Sequence, residues 1–378
     1  MPKAFPTKLS LYIKKILLGL FLLGVFLTGA VGSYLYFSLS GVFVKNNQKL
    51  NLFGTPTIKP NYELQSSFNI LLLGYGGAGH DGGNLSDVLI VMHINPDKKD
   101  ITLISVPRDL WVEIPIRSDI SENHKINATY AIGGDDKKYG LKEPQYKGEA
   151  GGGNMAKKVV SGAIGMPVDH FVAVDFGGFK KIVDTFGGLD VDVPVTFDDY
   201  FYPIKGAEND TCGKSATEIA KLHELYSDTQ LHHQFECRYE NIHFDKGKNN
   251  MDGETALKFV RSRASAQHGG DFARSQRQQA LLLAIKEKLI SMEAIKKVDE
   301  LFAEFSKTVR TDLDLETIKT IAAILGSSGN YNIKYVSLNE DNVLVASKSL
   351  DGQFILIPKA GEGVWSNVHK FILDEINK

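Results

Sequence analysis

Apolar residues fall into short runs separated by polar and glycine-rich stretches. FNILLLG (68–74), VLIVMHIN (88–95) and DITLISV (100–106) open the body of the sequence. Each is short and dense in large aliphatic residues, so each predicts a buried strand, and the PDKK turn between the second and third predicts a hairpin. GNMAKKVVSGAIGM (153–166) has helical spacing, HFVAVDF (170–176) reads as a strand, and GFKKIVDTFGG (178–188) as a helix stopped by a glycine pair. LDVDVPV (189–195) alternates as a half-exposed strand does. Asp252 is a natural N-cap for a helix running to about Val260, and another helix begins near Asp271 and continues through QQALLLAIKEKLI. Residues 293–325 predict two more helices, NIKYVSL and GQFILIP two late strands, and WSNVHKFILDEI a closing helix. Strands and helices mix throughout without an internal repeat. That pattern predicts an α/β fold with a mixed β-sheet sandwiched between helix layers.

The N-terminal region breaks this pattern. From Ile16 to Val44 no residue is charged, and Lys3, Lys8, Lys14 and Lys15 precede the run without any acid. About 20 apolar residues suffice to cross a bilayer. The run exceeds the apolar core of a signal peptide, and lysines mark the cytoplasmic side. The expected organisation is a cytoplasmic N-terminus (1–15), a single transmembrane helix (16–38), an extracellular stalk (39–66) and a main domain (67–290). Residues 197–245, aromatic and weakly periodic, read as an insertion in that domain. Residues 291–378 are either a continuation of the domain or a small cap.

With 43% hydrophobic and 23% charged residues, the chain carries enough apolar material for a real core. A formal net charge of −2 argues against a nucleic-acid partner, so any anion site must be local. Its two cysteines, Cys212 and Cys237, lie on the outer side of the expected anchor, where an even number suggests a disulfide. The alternatives are free thiols or a metal site with His223, His232, His233 and His243, although those spacings match no standard zinc pattern.

Arginine usage locates the candidate chemistry. The chain has eight arginines, and Arg261, Arg263, Arg274 and Arg277 occupy one short stretch. In an extended segment Arg261 and Arg263 point the same way, while Arg274 and Gln278 are one helical turn apart, with Arg277 on the adjoining surface. Converging guanidinium groups repel unless an anion joins them, and the planar arginine fork suits phosphate. The alternative is a solvated basic helix face. In SVPRDLWVEIP (105–115), Arg108 and Asp109 follow a strand end, where α/β sheets bind ligands. The glycine-rich loop GYGGAGHDGGNLSDV (74–88) lacks a P-loop ending but supplies Asp81 and Asp87, hard oxygen ligands suited to Mg²⁺. Lys125 and Asn127 add a cation and an amide.

Taken in series, these stretches resemble the LytR-CpsA-Psr family. The resemblance is carried by NILLLG, Ser86-Asp87, VMHINPDKKDITLISVPRD, KINATYAIGG, VDHFVAVDFGGFKKIVDTFGGLDVDVP, MDGETALKFVRSR and DFARSQRQQ, over about residues 67–290. It implies an enzyme on the outer face of a bacterial plasma membrane, transferring a glycopolymer with its phosphate from a polyprenyl-pyrophosphate carrier to peptidoglycan, assisted by Mg²⁺. It assigns Arg108, Arg261, Arg263, Arg274 and Gln278 to the pyrophosphate, where Lys125 is expected to join them. Asp87 and a partner acid go to the metal, with Arg108, Asp109, Arg263 and Asp271 in the catalytic set. One departure stands out. The family's first metal acid would fall at Gly76, which leaves Asp81 as the candidate replacement. The same residues would also serve a pyrophosphatase or a non-catalytic binder of lipid-linked precursors.

Overall fold

A computed structural model describes residues 67–78, 82–289, 309–313, 317 and 331–378. The expected anchor and nearly all of the stalk lie outside these residues, as does most of 293–325; where that stretch is described, Val309–Thr311 is a strand rather than the expected helix, because it pairs with the edge of the central sheet. Among the described residues no helix is long and apolar enough to cross a membrane.

The three leading apolar runs are strands β1 (Phe68–Tyr75), β2 (Ser86–Asn95) and β3 (Asp100–Ser105), paired antiparallel in sequence order. The hairpin β4 (Trp111–Arg117) and β5 (Ile120–Lys125) follows, then helices α1 (Ala128–Gly134) and α2 (Gly151–Ile164). They lead to β6 (His170–Asp175), which returns parallel to β1. Helix α3 (Phe176–Thr185) and β7 (Leu189–Val193) come next. Then come β8 (Phe197–Pro203), α4 (Ala216–Leu225), α5 (Asp228–His232), β9 (Tyr239–Phe244) and β10 (Gly247–Met251). Helices α6 (Gly253–Arg261) and α7 (Gly270–Leu289) precede β11 (Val309–Thr311), β12 (Asn332–Ser337), β13 (Leu344–Lys348), β14 (Phe354–Pro358) and α8 (Ser366–Asn377).

The central sheet has the order β11-β6-β1-β2-β3-β12 and mixes parallel with antiparallel pairs. Both faces are covered, which is why its strands read as nearly continuous apolar runs. Leu71, Leu73, Val91 and Ile104 face α2 and α8, whereas Ile70, Ile90, Ile94 and Leu103 face the other way, toward Leu282 of α7. A second core gathers α3, α6, α7 and β7–β10 around Phe197, Phe244 and Phe259, whose rings lie 5.2–6.1 Å apart. Asp252 caps α6 as expected, accepting from the Thr255 N–H at 2.7 Å. Helix α3 starts earlier than its apolar spacing predicts, because Asp175 accepts the Gly178 N–H at 2.6 Å and fixes the first turn.

The segment read as an insertion is anchored more deeply than its composition suggests. Phe197, Asp199 and Tyr202 of β8 are buried in or beside the second core, and only the stretch between β8 and β9 projects outward. Cys212 and Cys237 form a disulfide there, so neither sulfur is available as a free thiol or thiolate ligand. The neighbouring histidines are engaged locally: His233 stacks on Phe201, His232 bonds the Tyr239 hydroxyl, and His243 pairs with Asp198. The C-terminal strand β12 joins the central sheet parallel to β3, and α8 packs on α2, so residues 331–378 continue the same domain.

At the opposite edge, Asp312 follows β11 and binds β6 and α2. It accepts the Phe171 N–H at 2.8 Å and pairs with Lys157 and His170. Burial alone would raise this carboxyl, but the hydrogen bonds and the Lys157 charge outweigh it and hold the pKa below the ordinary value. A depressed carboxylate contributes stability that is fully present above its unfolded pKa, near 4, and is lost as the pH falls through the folded value. Asp312→Asn is therefore expected to shrink the drop in melting temperature between pH 7 and pH 3. An unchanged drop would show that the acid limb arises elsewhere.

Candidate active site

The carboxyl ends of β1, β3, β6 and β12 and the start of β2 share one edge of the sheet, the edge at which α/β folds bind ligands. Two local features place side chains there. Pairing of β1 with β2 shifts between Gly74 and Tyr75, so that Gly74 faces Val88 and Tyr75 faces Ser86. Asp87 is left as the extra residue of a bulge, a device that re-aims a side chain beside a site. After β3, Pro107 begins a tight turn closed by the Leu110 N–H on the Pro107 carbonyl at 3.1 Å, which places Arg108 and Asp109 at the end of the strand.

Backbone hydrogen bonds tie the separate motifs together. Asn127 N–H donates to the Arg108 carbonyl at 3.3 Å, Ser86 N–H to the Asn127 carbonyl at 3.0 Å, and Leu356 N–H to the Asp109 carbonyl at 2.9 Å. On this frame the side chains form a chain of alternating charge. Arg108 Nη1 meets Asp87 Oδ1 at 2.5 Å and Arg108 Nε lies 3.5 Å from Asp109 Oδ2, while Lys125 Nζ reaches Asp109 Oδ1 at 2.8 Å. All four are partly buried. Ion pairs there are screened less than on the open surface.

Beside this chain lies a shallow cleft, continuous with solvent and lined by Asp87, Pro107, Arg274, Gln278, Asn339 and Glu340, among others. Arg274 and Gln278 reach it together from α7, as their one-turn spacing predicts. The other arginines separate. Arg277, expected on the same surface, is fully buried against Phe197, 4.8 Å from the ring centroid. Burial pulls its pKa down to about 10. It turns inward because Phe197 and the carbonyls of Ser262 and His268 form a place for it in the second core. Arg261 ends α6 with its guanidinium 4.8 Å from the Phe176 centroid and 3.4 Å from the Tyr202 hydroxyl. Arg263 is exposed, and neither Arg261 nor Arg263 lines the cleft. Asp271 lies in the first turn of α7, but its side chain, like all of Asp81, is outside the described residues.

Asn339 and Glu340 are additions that local patterning did not single out. They follow β12, and their place beside Asp87 depends on β12 pairing with β3. Mg²⁺ is typically held by one or two carboxylates together with substrate phosphates and water. Asp87, with Glu340 on the same cleft, fits that donor set. The one compact His/Cys/Asp/Glu group found among the described residues is Asp210 with the two bonded cysteines, away from this cleft.

Comparison with known proteins follows the same outline. The sequence model of the LytR_cpsA_psr family matches residues 34–360. The polyisoprenyl-teichoic acid–peptidoglycan teichoic acid transferase TagV of Bacillus subtilis is 30% identical over 249 residues, 65% of this chain and 50% of TagV, so the chain spans about half that relative's length. The corresponding transferase TagU of Enterococcus faecalis is 25% identical over 309 residues, 81% of each chain. The crystal structure of B. subtilis TagV superposes with a TM-score of 0.53 at 26% identity, covering 82% of this chain and 98% of that one.

Proposed function

The chain belongs to the LytR-CpsA-Psr family, and from this membership and the chemistry of the cleft we propose that it is a phosphotransferase. It moves a glycopolymer, with its proximal phosphate, from a polyprenyl-pyrophosphate carrier to a hydroxyl of peptidoglycan. The observation that carries this reading is the convergence of Asp87, Arg274 and Gln278 on one cleft at the carboxyl edge of the sheet, with Arg108 paired to Asp87 beside it. The relatives, named as teichoic acid transferases, support the same class of donor and acceptor.

In this reading the acceptor oxygen forms a bond to the phosphorus nearest the glycan. The bond from that phosphorus to the bridging oxygen breaks, polyprenyl monophosphate leaves, and the acceptor proton passes to a site carboxylate, Asp109 or Asp271. Charge builds on the phosphoryl oxygens and the leaving phosphate, so positioned cations do most of the work. Arg274 donates to the pyrophosphate and Gln278 adds an amide donor. Arg108, held between Asp87 and Asp109, faces the same group, with Lys125 fixing Asp109 behind it. Arg261 at the end of α6 and Arg263 in the loop after it supply further positive charge. Mg²⁺, when bound at Asp87, supplies additional charge neutralisation. Residues 16–38 anchor the enzyme as a single-pass membrane protein with the domain outside the cell, where the lipid carrier and the wall meet.

The test uses the full chain in detergent with a polyprenyl-pyrophosphate-linked saccharide and Mg²⁺, with and without a peptidoglycan oligomer. The expected result is release of polyprenyl monophosphate with saccharide phosphate appearing on the oligomer. Free saccharide phosphate would make the protein a pyrophosphatase. Binding without release, with several donors, would make it a carrier-binding protein.

A further inference from the structure

We infer that Asp199 and Arg277 are positioning residues that hold the loop between α6 and α7 in its donor-binding shape; this rests on the reading that the cleft receives a lipid pyrophosphate. The loop, residues 262–269, carries Arg263 and leads into the helix that presents Arg274 and Gln278. Asp199, on β8, is only 1% exposed. Its Oδ2 accepts from the Ser262 hydroxyl at 2.7 Å and from the N–H groups of Arg263 and Ala264 at 3.1 Å each. Its Oδ1 accepts the Phe201 N–H at 3.0 Å, which fixes the carboxylate on its own strand.

Arg277, also fully buried, holds the same loop by its opposite polarity. It donates from Nη1 to the His268 carbonyl at 2.7 Å and from Nη2 to the Ser262 carbonyl. An anion therefore takes the loop's N–H groups while a cation takes its carbonyls, and the two act on adjacent residues, Ser262 and Arg263. Removing two full charges from water is costly. Neutral partners would satisfy the same backbone groups with less desolvation, so charge itself calls for an explanation.

Geometry supplies one. Charge-assisted hydrogen bonds are stronger than neutral ones, and these grip the loop's N–H groups and its carbonyls at once. Arg277 also lies between Arg274 and Gln278 on α7, so the bonds that fix the loop fix the start of the helix that lines the cleft. The loop's shape is then set before the donor arrives, which lowers the ordering cost of binding and keeps the cations aligned. The β8 strand, part of the segment read from its sequence as an insertion, becomes an integral support of the site.

The experiment compares full-chain wild type with Asp199→Asn, Arg277→Lys, Ser262→Ala and Arg274→Ala. Binding of geranylgeranyl pyrophosphate with Mg²⁺ is measured, together with donor KM, acceptor KM and kcat per folded enzyme. Asp199→Asn and Arg277→Lys are expected to weaken pyrophosphate binding about tenfold and to raise donor KM equally, and Ser262→Ala to do so about threefold. Acceptor KM stays unchanged. Loss of folded protein alone would lower apparent kcat and leave donor KM where it was. Donor affinity within twofold of wild type in the folded variants overturns the inference. Should Asp199→Asn and Arg277→Lys fail to fold, Ser262→Ala decides by the same criterion. Wild type that binds no pyrophosphate, or Arg274→Ala that binds it normally, overturns the underlying reading and the inference with it. Binding lost in Arg274→Ala but retained in the loop variants overturns the inference alone.

Discussion

Replacing Arg108 by alanine is expected to lower kcat/KM for the lipid-linked donor about 10²- to 10³-fold, roughly 3–4 kcal/mol of transition-state stabilisation. Arg108 stands between Asp87 and Asp109, at 2.5 Å and 3.5 Å. Its removal takes away a cation from the developing charge and leaves two carboxylates near a phosphate without their shared counter-ion. Both effects oppose an anionic transition state. Arg108→Lys keeps the charge but loses the planar fork that spans the two acids, so an intermediate loss is expected. Steady-state kinetics with saturating acceptor, beside a melting curve for each variant, checks this. Alanine turnover near wild type, with the fold intact, would remove Arg108 from the chemistry and confine it to holding the turn after β3.

Much of this site was legible in the order of residues, for reasons that remain local. FNILLLG, VLIVMHIN and DITLISV announce strands because both faces of the sheet are buried. Arg274 and Gln278 reach one cleft because a helix places residues four apart on one face. What escaped depends on distant partners. The β4–β5 hairpin hides because ISENHK is largely exposed and polar, with no apolar alternation to announce it. Arg277 turns inward only because Phe197 and the Ser262 and His268 carbonyls, brought in by chain reversal, form a place for it. Glu340 joins Asp87 only through the parallel register of β12 on β3, across more than two hundred residues of sequence. Asp199 carries no motif at all. Its role appears once β8 lies against the α6–α7 loop.

A large effect on stability away from the site is expected from adding one carbon at Gly153. Helix α2 opens with three consecutive glycines, and its apolar spacing begins only at the third, yet all three are buried. An ideal Cβ on Gly153 would lie 2.2 Å from two carbons of the Phe171 ring. Phe171 is itself fully buried on β6, in the middle of the core between the sheet and α2, so the ring has nowhere to swing. The helix must move off the sheet or the ring must leave its rotamer, and overpacking of this kind costs about 1–3 kcal/mol. In a domain of this size that corresponds to a melting temperature lower by roughly 2–4 °C per kcal/mol. Gly162, nine residues further along the same helix, is the internal control, since a Cβ there meets nothing within 4 Å. Gly162→Ala is expected to stabilise by about 0.5–1 kcal/mol, because alanine loses less backbone freedom on folding and forms helix better. The two substitutions share chemistry, helix and helix propensity, so any difference in sign isolates the contact with Phe171. Denaturation of both single variants and the double variant measures it, and the effects should add across that distance. Two stabilising alanines would mean that α2 stands further from β6 than the 2.2 Å approach requires.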